Sequence, residues 1–101
     1  MVLIMVVGTY PPNKAEEMIK ASMSGKKPAY PEFLKKVHNW VAQVTTGLYK
    51  AYAVYECPDE NVVEGLAALT KRYNFYAQTE GYRFTIEILA EFEDAINLYM
   101  Q

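Results

Sequence analysis

The chain opens with an unbroken apolar run, Val2 to Val7, closed by Gly8. A short, β-branched run without polar alternation reads as a strand covered on both faces, hence central in its sheet. Pro11-Pro12 follows, where a first helical turn tolerates a missing N–H. Asn13 to Met23 then puts Ala15, Met18, Ile19 and Ser22 on one helical face, with Glu16 and Lys20 as an i,i+4 pair. Gly25 stops this helix. Lys26 to Pro31 reads as a loop, and Pro31 to Val37 as a short second helix with Phe33, Leu34 and Val37 inward. Trp40 to Cys57 reads as a hairpin of two β-type runs broken at Thr46-Gly47. In its second arm Tyr49, Ala51, Ala53, Tyr55 and Cys57 share one face, without charge, and Leu48, Lys50, Tyr52, Val54 and Glu56 share the other. In the first arm Asn39, Val41, Gln43 and Thr45 oppose Trp40, Ala42 and Val44.

Pro58 ends the hairpin, and Asp59 and Glu60 place negative charge at a helix start, where the macrodipole favours it. From Asp59 to about Tyr76, the residues Val62, Leu66, Leu69, Tyr73 and Tyr76 form one apolar stripe. Gly65 lies inside it, which predicts a close helix-on-sheet contact. Gln78 to Gly81 turns the chain. Tyr82 to Ala90 alternates as a strand, with Tyr82, Phe84, Ile86 and Ile88 opposing Arg83, Thr85 and Glu87. A last short helix, Glu91 to Met100, is apolar at Phe92, Ala95, Ile96 and Tyr99. The order predicts one α+β domain over residues 1–101. It is a ferredoxin-like βαββαβ unit with a four-stranded antiparallel sheet of order 4-1-3-2 and both main helices on one face.

Such a sheet leaves its second face to be explained. On that face Lys50, Glu56, Arg83 and Glu87 interleave with Tyr52 and Val54. One reading is an exposed surface with cross-strand ion pairs, each contributing about 0–1 kcal/mol. The other is a face enclosed by a second copy, its polar groups lining a ligand space. The apolar first strand with Gly8, the helix after Pro11-Pro12, the long hairpin, the Val62–Tyr76 stripe and the closing TIEILAEFED together resemble the dimeric α+β-barrel superfamily. That superfamily includes cofactor-independent quinone-forming monooxygenases and muconolactone isomerases. The likeness is one of architecture and carries over no catalytic residue. It implies a homodimer joined through its sheets, with a cavity between each sheet and its helices or loops.

Composition narrows the function classes. Hydrophobic residues are 51% of 101 and charged residues 22%, as expected of a folded domain, and the net charge of −2 lacks the basic footprint of a nucleic-acid binder. Lys26-Lys27 and Lys35-Lys36 read as solvated surface pairs. The single cysteine, Cys57, excludes an intramolecular disulfide and a cysteine-based metal cage, fits a reducing cytoplasmic setting and reads as a small buried hydrophobe. The apolar start is far shorter than the roughly 20 residues of a membrane span. Phosphate loops, HExxH, GxSxG and EF-hand spacings are missing, so no metal or nucleotide cofactor is expected.

His38, the only histidine, is the candidate for proton handling. Lys50, Tyr52, Glu56, Arg83 and Glu87 are the candidate ligand-binding residues. Nine tyrosines give either core packing or an aromatic pocket. These features predict a small homodimer that binds a partly apolar or aromatic molecule. The alternatives are an enzyme resembling the monooxygenases or isomerases, and a purely structural or partner-binding dimer.

Overall fold

The computed structural model describes residues 1–43 and 47–100, so Val44, Thr45 and the Thr46 half of the expected turn lie outside the described residues. The strands are β1 (Val2–Tyr10), β2 (Lys35–Gln43), β3 (Tyr49–Cys57) and β4 (Arg83–Leu89); the helices are α1 (Ala15–Met23), α2 (Val62–Asn74) and α3 (Phe92–Tyr99). Short 3-10 turns at Pro12–Lys14 and Asp59–Asn61 lead into α1 and α2, and Phe75–Gln78 extends α2. The sheet has four antiparallel strands in the order β2-β3-β1-β4, the expected order read from the other edge. The fold is α+β and ferredoxin-like.

The register assigns the two faces. Val2, Ile4, Val6 and Gly8 of β1 pair with Cys57, Tyr55, Ala53 and Ala51 of β3, and Ile4, Val6 and Gly8 also pair with Ile88, Ile86 and Phe84 of β4. This is the inner face, beneath the helices. Ile4, Tyr55, Cys57 and Leu69 have no exposed surface, and Val6, Leu34 and Ala53 complete the buried cluster. Burying a side chain such as Leu69 contributes roughly 1.5–3 kcal/mol. At Gly65 an added Cβ would stand 3.0 Å from Cys57 Sγ and 3.3 Å from Leu34 Cδ2. The glycine therefore gives up about 1 kcal/mol of helix propensity relative to alanine and lets α2 approach the sheet.

Three expectations need amendment. No helix forms over Pro31 to Val37. One turn, closed by Leu34 N–H donating to the Pro31 carbonyl at 3.1 Å, is followed directly by β2 from Lys35. So short a helix is marginal on its own, whereas a ladder with β3 satisfies the same backbone groups. Leu34 still turns inward, but Val37 is exposed. Second, β1 continues through Gly8 to Tyr10, because β3 and β4 flank it on both sides. Third, β1 is central but not covered on both faces within one chain: Leu3 is exposed, and Met5 and Val7 are half-buried. The last helix, α3, forms as expected, and its Phe92, Ile96, Leu98 and Tyr99 are all exposed. The radius of gyration, 15.1 Å, exceeds the roughly 13 Å usual for this length. A thin two-layer body, 19 Å in its shortest dimension, accounts for the excess.

Candidate functional site

On the inner face the middle of the sheet carries almost no side chain. Gly8 pairs with Ala51 and Val6 with Ala53, so three of these four adjacent positions on the two central strands are small. Above this row α1 has no buried residue. The result is a cleft of about 370 Å³ between sheet and helices, within the roughly 300–1,000 Å³ of small-molecule sites. Gly8, Ala51, Ala53 and Val6 form its floor, and Met18, Ile19 and Ser22 of α1 form one wall. Tyr73, Tyr76 and Tyr82 form the opposite wall, with Tyr10 at one end. Tyr82 lies directly over Gly8, where an added Cβ would come within 2.6 Å of its hydroxyl oxygen. Lys27, Lys36, Asn39 and Val41 make the rim.

The tyrosines are held against each other. The Tyr55 and Tyr73 hydroxyls hydrogen-bond at 2.7 Å, and Tyr55 meets Tyr30 edge-on at 5.4 Å between ring centroids. Tyr76 and Phe84 both contact Tyr73 and Tyr82. Burial raises the phenol pKa values of Tyr55, Tyr73, Tyr82, Tyr76 and Tyr10, because an ionised phenolate would be poorly solvated there. Each of these side chains is thus a neutral hydrogen-bonding group at ordinary pH.

The rim cations reach the cleft through two local devices. Arg72 of α2 lies 4.4 Å above the Tyr30 ring, and its Nη1 donates to the Pro28 carbonyl at 2.8 Å. That pins the loop carrying Lys27 to the helix. In β2, Lys36 pairs with Tyr55 and His38 with Val54, so Val37 is an extra residue, a β-bulge. Without the bulge Lys36 and His38 would share a face. With it, Lys36 points to the inner face, its Nζ 5.7 Å from the Tyr55 centroid, and His38 to the outer. Desolvation, then the charge of Arg72, lowers the pKa of both Lys36 and Lys27.

The candidates nominated from sequence lie on the other side of the sheet. His38 is exposed, stacks on Trp40 at 4.5 Å between centroids, and does not line this cleft. Lys50, Tyr52, Arg83 and Glu87 do come together, with Met5, Val7, Thr9 and Thr85, around an outer-face groove of about 430 Å³. Tyr52 also borders the inner cleft. Glu56 lies apart from the groove, between Leu3 and Lys35 in the register. Lys50 Nζ sits 5.5 Å from the Tyr52 centroid, and Thr85 Oγ1 donates to Glu87 at 3.4 Å. Among the described residues the ion pairs are Met1 N–Asp59 and Lys20–Glu16, so none of these four charges is paired. No trio of His, Cys, Asp or Glu among the described residues stands close enough to hold a metal. The Cys57 thiol is fully buried, and burial followed by Glu60 and Asp59 raises its pKa. Among the described residues no helix is long and apolar enough to cross a membrane.

Sequence reasoning missed Lys27, Lys36, Tyr10 and Tyr82 as cleft residues. The signal for the tyrosines was present in their parity beside Gly8. That for Lys36 was not, since the bulge at Val37 carries no glycine or proline to announce it.

No family model and no curated protein matches this chain. Solved structures do match in fold. One is a de novo designed protein, Foldit4, with a TM-score of 0.54 and 9% identity over 89% of this chain and 97% of that one. Another is a conserved protein from Methanosarcina mazei Go1, with a TM-score of 0.51 and 14% identity over 90% of this chain and 94% of that one. At such identities the likeness is one of architecture.

The phenol pKa values fix a pH response. A neutral phenol with a raised folded-state pKa contributes fully below the unfolded value of about 10, and the contribution is lost as pH rises toward the folded value. Stability to denaturant is therefore expected to fall above about pH 10, with tyrosinate absorbance from the buried tyrosines appearing only as circular dichroism reports unfolding. Ionisation of all nine tyrosines at that pH in a folded chain would contradict the packing described.

Proposed function

We propose that this protein binds a small, partly apolar or aromatic molecule in the cleft between its sheet and α1, and that two copies pair through their open sheet faces. The observation that carries the binding reading is the cleft itself. A floor of small residues lies opposite neutral tyrosine hydroxyls, which offers flat apolar contact with a few orienting donors. The open outer-face groove has only protruding side chains for walls until a second copy covers it. His38 stands on the opposite face from the cleft, so ligand binding is favoured over oxygenation or isomerisation with His38 as the proton carrier.

Pairing is supported by apolarity and by charge polarity. Leu3, Met5, Val7, Trp40 and Val54 share the outer face, and Trp40 is 53% exposed in a single chain. Lys50 and Arg83 flank Thr9 at one end of that face. Glu56 and Glu87, with Lys35 beside Glu56, give the other end net negative charge. A two-fold axis that reverses strand direction brings the positive end of one sheet onto the negative end of the other.

Indole, a neutral aromatic, is expected to bind with a Kd of about 1 mM or tighter. Ala51→Leu, which fills the floor, should weaken it at least about tenfold, by roughly 1.4 kcal/mol, as read by ligand-observed NMR. Binding that survives Ala51→Leu but is lost in Trp40→Ala would move the site to the outer face. Light scattering at micromolar concentration should give twice the chain mass for the native protein and the chain mass for Trp40→Glu. A native monomer would remove the pairing.

A further inference from the structure

The cleft has a sign as well as a shape. Among the described residues its lining contains Lys27 and Lys36 and no Asp or Glu. Neither lysine belongs to an ion pair among the described residues, although acidic residues outnumber basic ones by 12 to 10 in the chain. The two come from separate segments. One sits on the loop pinned to α2 by Arg72, and the other on β2, turned inward by the bulge at Val37. Arg72 adds a third positive charge behind them, close enough to depress the pKa of both. Three like charges beside buried aromatic rings repel one another, and none of them belongs to an ion pair among the described residues. An anion at the rim would relieve both conditions.

We infer that the ligand of the cleft is an aromatic acid, its ring lying on the Ala51–Ala53 floor beside Tyr82 and its carboxylate held between Lys27 and Lys36. This inference rests on the binding reading above and adds the chemical class. A carboxylate is favoured because the cationic groups are two flexible point charges on one side of an otherwise uncharged space. The ring position lies beyond them, where Tyr73, Tyr76 and Tyr82 supply aromatic edges and neutral hydroxyls.

The test compares two near-isosteric probes, indoleacetate and indoleacetamide, by calorimetry or NMR at neutral pH. The native protein should bind the acid about tenfold tighter than the amide. Lys36→Met, which keeps the apolar stem, and Lys27→Met should each cut this preference, and the double variant should erase it. Lys20→Met, a substitution on the exposed side of α1, should leave the preference intact and so control for net charge. Equal binding of acid and amide by the native protein, or a preference that survives in the double variant, overturns the inference and leaves the cleft as a neutral aromatic site. Failure of both probes to bind at millimolar concentration overturns the binding reading and this inference with it.

Discussion

The row of small residues at the centre of the inner face, Gly8, Ala51 and Ala53, sets the rest of the arrangement. Ordinarily a helix settles onto a sheet by interlocking side chains, and the space between the layers fills. Here α2 does settle, through Gly65 and Leu69, and builds the core at one end of the sheet. Over the alanine row there is nothing for α1 to interlock with, and none of its residues is buried. The same small residues that weaken the packing of α1 create the cleft beneath it.

A second constraint is the bulge at Val37. Side-chain parity in a strand is strict, and one extra residue exchanges the faces of everything on one side of it. Lys36 and His38 are the two residues most affected. The bulge gives the inner cleft a lysine and gives the outer face the histidine, which stacks on Trp40. The outer face is organised by different physics: apolar area from β1 and β3, an exposed Trp40, and charges segregated toward opposite ends of the strands.

Much of the fold was legible because its determinants are local or periodic. The alternation of Tyr49 to Cys57 assigned both faces of β3, and the Val62–Tyr76 stripe located α2. The Glu16–Lys20 pair forms at 3.2 Å, and Gly65 marks a close approach. The site was less legible. Lys50, Tyr52, Arg83 and Glu87 were correctly grouped on one face by parity, but parity does not say which face holds a cleft under the helices. That depends on how far α1 stands from the sheet, a tertiary property. The segment Pro31 to Val37 has helix-like spacing, and its capture by β3 depends on a partner strand distant in sequence. The stripe of α3 was read as apolar, yet its Phe92, Ile96 and Tyr99 find no cover in one chain.

The central claim is that the ligand space lies between the sheet and α1 rather than on the open outer face. Intermolecular nuclear Overhauser effects between indole ring protons and methyl groups of the protein address it most directly. Ala51, Ala53 and Met18 line only the inner cleft, and Met5 and Val7 line only the outer groove. Contacts to the first set and none to the second are the expected result. Contacts confined to Met5 and Val7 would contradict it.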